Sequence, residues 1–245
     1  MKKHIPNTLT LLNLFCGCCT IVSILNGQYT EGAVFTGISL VADFLDGFAA
    51  RQLGVSSPLG LQLDSLADMV SFGVVPGVII FELLKWHDTA PVILGLKDVS
   101  NSNFSLGTLL AFVVTLFSCL RLAKFNIDTR QTKSFIGLNT PSNTVFFVGL
   151  MLIAEYNSFG LAYLVSNPVF IYCLIPVSSY LLVSEIPMFS MKGGLDKMKI
   201  AYLILSLLLV IVFKEVALSL VMILYVVINI FNNLYHKKMT PSVNH

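Results

Sequence analysis

The sequence predicts an all-α, polytopic helical membrane protein of about eight transmembrane helices with both termini cytoplasmic. Three observations carry that prediction. Hydrophobic residues make up 56% of the 245-residue chain and charged residues only 11%, with a mean hydropathy of +0.83, whereas a soluble domain is about a quarter charged. Apolar runs near the ~20 residues that a helix needs to cross a bilayer recur along the whole length. The cations are also segregated. With the N-terminus cytoplasmic, one side receives Lys2, Lys3, Arg51, Arg121, Lys124, Arg130, Lys133, Lys192, Lys197, Lys199, Lys237 and Lys238, and the other only Lys85, Lys97 and Lys214. Twelve against three is the bias expected of loops held at the cytoplasmic face.

The spans fall at 7–27, 31–53, 59–84, 104–125, 142–158, 163–183, 197–213 and 216–236. The first follows Met-Lys-Lys-His, a flank like that of a secretory signal, but no clear small-residue cleavage site follows it, so it reads as a membrane span. The second and third form an antiparallel hairpin across the short link Gly54-Val55-Ser56-Ser57-Pro58, with Pro58 suited to open a helix. The fourth ends in Arg121 and Lys124 on the cytoplasmic side. The fifth and seventh are short, and the 159–162 link is either a loop or a kink in one longer helix. The longest polar links are 86–103, 126–141 and 184–196. Nothing divides the chain, so residues 1–245 are read as a single membrane domain with its chemistry in 43–68.

Composition excludes some classes of function. No basic patch interleaved with aromatics points to nucleic acid. Cys16, Cys18 and Cys19 make a C-x-C-C run, but no second pair of zinc ligands accompanies it, and Cys119 and Cys173 stand apart. The three read as small, polarizable packing residues.

The informative stretch runs from Val41 to Gly73, where four aspartates and an arginine interrupt apolar sequence. Ionisable groups at membrane depth cost about 2.5–3.5 kcal/mol each, so four uncompensated aspartates oppose insertion by roughly 10 kcal/mol or more. Asp43, Asp46, Gly47, Ala50 and Arg51 fall on one face of a helix, as do Gly60, Asp64 and Asp68. The short link makes the two helices neighbours, so four carboxylates converge. Converging carboxylates repel unless cations intervene, and hard oxygen ligands select Mg²⁺, Mn²⁺ or Ca²⁺ over zinc. Gly47, Ala50 and Gly60 leave room for a ligand beside the carboxylates, and Arg51 suits phosphate oxygens. Metals, an arginine and a cleft of small residues describe phosphoryl-group chemistry. Two rivals stand beside that reading. One is a buried ion-pair network, which a single arginine cannot balance; the other is a cation transporter.

The pattern Asp43-x-x-Asp46-Gly47-x-x-Ala50-Arg51, eight residues, then Gly60-x-x-x-Asp64-x-x-x-Asp68 resembles the signature of the CDP-alcohol phosphatidyltransferase family at every fixed position. The resemblance implies transfer from a CDP-linked lipid or alcohol to a second alcohol with release of CMP. It also implies two divalent cations, Mg²⁺ or Mn²⁺, held by Asp43, Asp46, Asp64 and Asp68, with Asp68 as general base. Gly47, Ala50, Arg51 and Gly60 match positions that hold the CDP moiety. Pro6-Asn7-Thr8-Leu9-Thr10 resembles the family's P-N-x-x-T opening, which places Asn7 and Thr10 near the nucleotide; helix capping and helix-to-helix hydrogen bonding are the other reading of that pair.

Flanking segments resemble the branch of the family whose acceptor is L-serine. They are Thr10-Leu-Leu-Asn-Leu-Phe-Cys-Gly17, the run from Asp64 to Gly77, Arg121-Leu-Ala-Lys124-Phe-Asn126, and Phe135-Ile-Gly-Leu-Asn-Thr-Pro141. Phe48, Lys124 and Asn139 depart from that branch's residues. The resemblance covers about residues 5 to 145. It implies a phosphatidyl transfer from CDP-diacylglycerol to L-serine, with glycerol 3-phosphate or inositol phosphate as alternative acceptors, and a homodimer. Arg121, Lys124 and Asn126 are the candidates to meet the acceptor; membrane anchoring is the competing reading for the cations. The expected location is a bacterial plasma membrane, with the site open to the cytoplasm.

Overall fold

In a membrane the usual burial pattern inverts: polar and small side chains seek protein, while leucine and phenylalanine are at ease in lipid. The first helix, α1 (His4–Leu25), shows this directly. Its buried face holds Thr10, Asn13, Gly17, Thr20 and Ser23, while Leu11, Leu12, Phe15 and Val22 are exposed. The second, α2 (Tyr29–Gln52), repeats the pattern, burying Gly32, Thr36, Ser39, Ala42 and Asp46 and exposing Val34, Ile38, Val41, Phe44 and Phe48. The two seams meet. The Thr20 hydroxyl lies 3.4 Å from both the Gly32 carbonyl and the Thr36 hydroxyl, and a Cβ on Gly32 would stand 3.0 Å from Ile24. Small residues bring these backbones close enough for hydroxyls to bond across.

The computed structural model describes residues 4–55, 57–85, 106–128, 135–189 and 197–239. Arg130, Lys133 and the whole 86–103 link, Lys97 included, lie outside those residues. A continuous helical rod follows α2: α3 (Pro58–Asp68), a π-helical segment Met69–Val74, and α4 (Val75–Lys85). As expected, Pro58 opens α3, with Ser57 Oγ capping Gly60 N–H at 3.0 Å. Sequence reading gave no sign of the π segment, which starts directly after Asp68. Pro76 explains part of it. Having no N–H, it leaves the Phe72 carbonyl without its helical donor, and Thr144 Oγ1 takes that carbonyl at 3.0 Å. Thr115 Oγ1 bonds the Gly73 carbonyl at 3.0 Å in the same way.

The remaining long helices among the described residues are α5 (Val113–Ile127), α6 (Thr140–Tyr156), α7 (Pro168–Val183), α8 (Lys197–Phe213) and α9 (Glu215–Met239). Short helical turns at Leu106–Leu109 and Leu110–Phe112 lead into α5. The 159–162 region is a true break: Asn157, Phe159 and Gly160 have φ of 47°, 55° and 72°. The expected 163–183 span divides as well, because Asn167 caps a new helix that begins at Pro168. Among the described residues one antiparallel strand pair departs from pure helix, β1 (Phe135–Ile136) with β2 (Pro187–Met188).

Within the described residues, five helices are long and apolar enough to cross a membrane: His4–Leu25, Tyr29–Gln52, Pro58–Lys85, Gly107–Ile127 and Glu215–Leu234. The others, at 16 or 17 residues, are shorter. The chain is an all-α membrane protein apart from that strand pair. The core is centred on α4 and α6, where Val75, Ile79, Ile80, Leu83, Leu84, Phe147 and Met151 are all within 1–2% of complete burial or fully buried. The rod that carries two of the aspartates is thus enclosed at its α4 end, whereas α3 itself buries only Ala67.

Candidate active site

Asp43 on α2 and Asp64 and Asp68 on α3 converge, each offering a carboxylate oxygen within 4.8 Å of the others. All three are half-buried. Such a set of hard oxygen donors fits divalent Mg²⁺ or Mn²⁺. Asp46 stands one turn along from Asp43 but is bound differently. It is buried, and its Oδ2 accepts from Thr10 Oγ1 at 2.5 Å. Its charge remains within electrostatic reach of Asp68. The structure therefore brings three of the four expected ligands into one cluster and anchors the fourth to α1.

Beside the carboxylates opens a cavity of about 430 Å³, within the usual size range of small-molecule sites. All six residues expected to hold the CDP moiety line it: Asn7, Thr10, Gly47, Ala50, Arg51 and Gly60. Asp46 and Asp64 line it too. The small residues acquire a geometric reason here. A Cβ on Gly47 would stand 3.3 Å from Arg51 Nη1, so the guanidinium lies back along α2 over the glycine. A Cβ on Gly60 would meet Asn7 Oδ1 at 3.3 Å, so the glycine admits the start of α1 to the cavity wall. Arg51 is exposed, which leaves its donors open to a ligand.

Sequence reading missed Asn13, which is fully buried. Its Nδ2 donates to Asp68 Oδ1 at 3.2 Å, and its Oδ1 accepts from Ser39 Oγ at 2.5 Å. Its backbone carbonyl accepts from Ser39 Oγ at 3.2 Å and from Ser71 Oγ at 3.0 Å. Asn13 thus ties α1, α2 and the start of the π segment to one oxygen of Asp68. The available signal was spacing, since Thr10, Asn13, Gly17 and Thr20 recur every three or four residues on one face.

The three acceptor candidates separate. Arg121 is buried on α5, donates to Thr140 Oγ1 at 3.5 Å, and has no partner for its Nε among the described residues. The Asp68 carboxylate lies within electrostatic reach of its guanidinium. Lys124 is exposed and lines a small second cavity together with Arg121. Asn126 is instead bonded to Ser65, donating from Nδ2 at 2.9 Å, and so ties the end of α5 to α3 between Asp64 and Asp68. Asn139, where the resembled segment has proline, caps α6 by accepting from Ser142 N–H at 2.8 Å.

A family model described as CDP-alcohol phosphatidyltransferase matches residues 3–173, from the first residues through the start of α7. The chain belongs to the CDP-alcohol phosphatidyltransferase family. It is therefore an enzyme of a transferase family. Among curated relatives of this family, a CDP-diacylglycerol–serine O-phosphatidyltransferase of Bacillus subtilis is 32% identical over 184 residues, covering 75% of this chain and 89% of the relative. A protein of the same name from Helicobacter pylori is 31% identical over 151 residues, 60% of this chain and 57% of the relative. An archaetidylserine synthase of Methanothermobacter thermautotrophicus is 29% identical over 162 residues, 65% of this chain and 63% of the relative. The chain thus spans most of the Bacillus protein and somewhat over half of the other two.

Proposed function

We propose that the protein transfers a phosphatidyl group from CDP-diacylglycerol to L-serine, giving phosphatidylserine and CMP. The observation that carries this reading is the adjacency of the Asp43–Asp64–Asp68 cluster to a cavity lined by all six residues matched to CDP binding. Relatives named for serine transfer support the choice of acceptor.

Asp43, Asp64 and Asp68 would hold Mg²⁺ or Mn²⁺, with Asp46 completing the charge balance for two ions from its place against Thr10. Bound there, the cations would supply positive charge for the phosphoryl oxygens and the departing CMP. The chain's own residues do the rest. Arg51 pairs with diphosphate oxygens, while Gly47, Ala50 and Gly60 let the nucleotide approach the helices. Asp68 takes the proton from the serine hydroxyl as its oxygen forms a bond to the lipid-side phosphorus. The bond from that phosphorus to the bridging oxygen breaks, and CMP leaves with the electron pair. A base positioned for this contributes about 10²–10⁴-fold. Arg121, with Lys124, meets the serine carboxylate.

The remaining parts of the reading concern placement. The eight helices cross the membrane with both termini cytoplasmic, the shorter ones included, and residues 1–245 form one domain. The site faces the cytoplasm of a bacterial plasma membrane, and the enzyme works as a homodimer. Cation segregation supports the orientation.

The test is CMP release by purified protein with CDP-diacylglycerol and Mg²⁺ or Mn²⁺, comparing L-serine, glycerol 3-phosphate and inositol phosphate. Serine-dependent release is expected. Release only with a phosphorylated acceptor overturns the choice of serine and keeps the chemistry.

A further inference from the structure

The second cavity, about 50 Å³, lies between the C-terminal ends of α5 and α7. Its charged lining is mixed: Arg121, Lys124 and Asp128 from the α5 side, and Glu185 from just beyond α7. Arg121 and Lys124 fall at i and i+3 on one face of α5, and Asp128 is the extended residue that ends the helix. A phosphorylated acceptor calls for cations alone. Two cations and a carboxylate on one side, with a second carboxylate across a small space, suit a molecule that carries both signs itself.

We propose that this cavity is the acceptor subsite and that it selects a zwitterionic α-amino acid by charge at both ends. Arg121 and Lys124 take the α-carboxylate; Glu185, with Asp128 beside it, takes the α-ammonium. This rests on the phosphatidyl-transfer reading above and adds to it the group that recognises the amine.

Several observations support the assignment. Arg121 is 8% exposed and its Nε has no hydrogen-bond partner among the described residues, a state that a ligand carboxylate would relieve. The Asn126–Ser65 bond holds the end of α5 against the aspartate helix, so the cavity stays beside the carboxylates. The Glu185 segment is pinned rather than loose. Gly137 N–H donates to the Ile186 carbonyl at 2.9 Å, Leu138 N–H donates to the Leu181 carbonyl at 2.9 Å, and β1 pairs with β2 immediately after. Gly137, at φ 75°, is the residue that permits this closeness, because a Cβ there would stand 2.8 Å from the Ser184 carbonyl oxygen. Two helix C-termini end at the cavity, and their negative dipole ends favour a bound ammonium.

The experiment uses the full-length enzyme with its metal and CDP-diacylglycerol, and three acceptors: L-serine, L-glycerate (the same configuration, with a hydroxyl in place of the amine) and ethanolamine (hydroxyl and amine without the carboxylate). In the unaltered enzyme, both analogues are expected to release CMP far more slowly than serine. Glu185→Gln is expected to raise KM for L-serine roughly tenfold with KM for CDP-diacylglycerol unchanged, and to narrow the preference for serine over glycerate. Glu185→Asp should recover part of the loss. Asp128→Asn serves as the second variant and should shift the same ratio by less. Serine-dependent release with unchanged serine KM and unchanged serine-to-glycerate preference in both variants overturns the subsite while leaving the transferase reading intact. Absence of serine-dependent release in the unaltered enzyme overturns both.

Discussion

Replacing Asn13 by alanine tests whether Asp68 depends on being held as well as on being charged. In the structure one Asp68 oxygen receives the Asn13 amide at 3.2 Å, and the amide is itself fixed by the Ser39 hydroxyl at 2.5 Å. Alanine removes the donor and leaves the half-buried Asp68 carboxylate and the buried Ser39 hydroxyl without that partner. A hydrogen bond to a charged group contributes about 1.5–3 kcal/mol. If the loss falls on the transition state, kcat drops roughly 10- to 150-fold. KM for CDP-diacylglycerol should hold, because Asn13 does not line the nucleotide cavity. Ser39→Ala leaves the amide in place but free to turn, and should cost less, about tenfold in kcat at most. The assay is CMP release under saturating and limiting lipid substrate, on protein whose elution from a sizing column in detergent matches the parent. A kcat within twofold of the parent in Asn13→Ala refutes the positioning argument. So does a loss confined to the lipid KM.

Other perturbations separate the parts of the site. Asp68→Asn should abolish turnover while the protein still elutes as folded, and full activity would remove Asp68 as the base. Arg51→Ala should raise KM for CDP-diacylglycerol tenfold or more, by loss of charge-assisted bonds to the diphosphate, with the serine KM unchanged; Arg51→Lys should recover only part, because the bidentate fork is lost. Gly17→Val should lower thermal stability, since a Cβ there would stand 2.9 Å from Ser71 Cα and press its hydroxyl out of reach of Asn13, forcing α1 from the rod. Chelation with EDTA should stop CMP release and Mg²⁺ or Mn²⁺ should restore it; the cation added to chelated protein should also raise the melting temperature, whereas Asp43→Asn should blunt that rise.

The aspartate site was legible in the sequence because its signal is absolute. Carboxylates have no solvation in an apolar run, so the four positions stand out before any geometry is known, and the short link from Gly54 to Pro58 fixes that their helices are neighbours. The nucleotide side was legible for a related reason. Gly47 and Gly60 lie on the same helical faces as the carboxylates, and each proves to be where another side chain, Arg51 or Asn7, must pass closely. The π segment was not legible. It arises where Pro76 denies the Phe72 carbonyl its donor, and its stability depends on hydroxyls from Thr115 and Thr144, far along the chain.

Asn13 and Glu185 stayed hidden for opposite reasons. Asn13 is a neutral polar residue in a span otherwise rich in leucine and cysteine, and a lone amide in a membrane helix reads equally as glue between helices. Its role appears only when the heptad-like row of Thr10, Asn13, Gly17 and Thr20 is laid against that of Gly32, Thr36, Ser39 and Asp46, which the fold does face to face. That single seam both zips α1 to α2 and delivers Thr10 to Asp46 and Asn13 to Asp68. Packing and carboxylate placement are therefore one property of the hairpin, so a substitution that loosens the seam should lower kcat before it unfolds the protein. Glu185 was hidden because it sits in a polar link, where charge is ordinary. Only the strand pair and Gly137, which bind that link to the start of α6, place this exposed residue at a cavity rim.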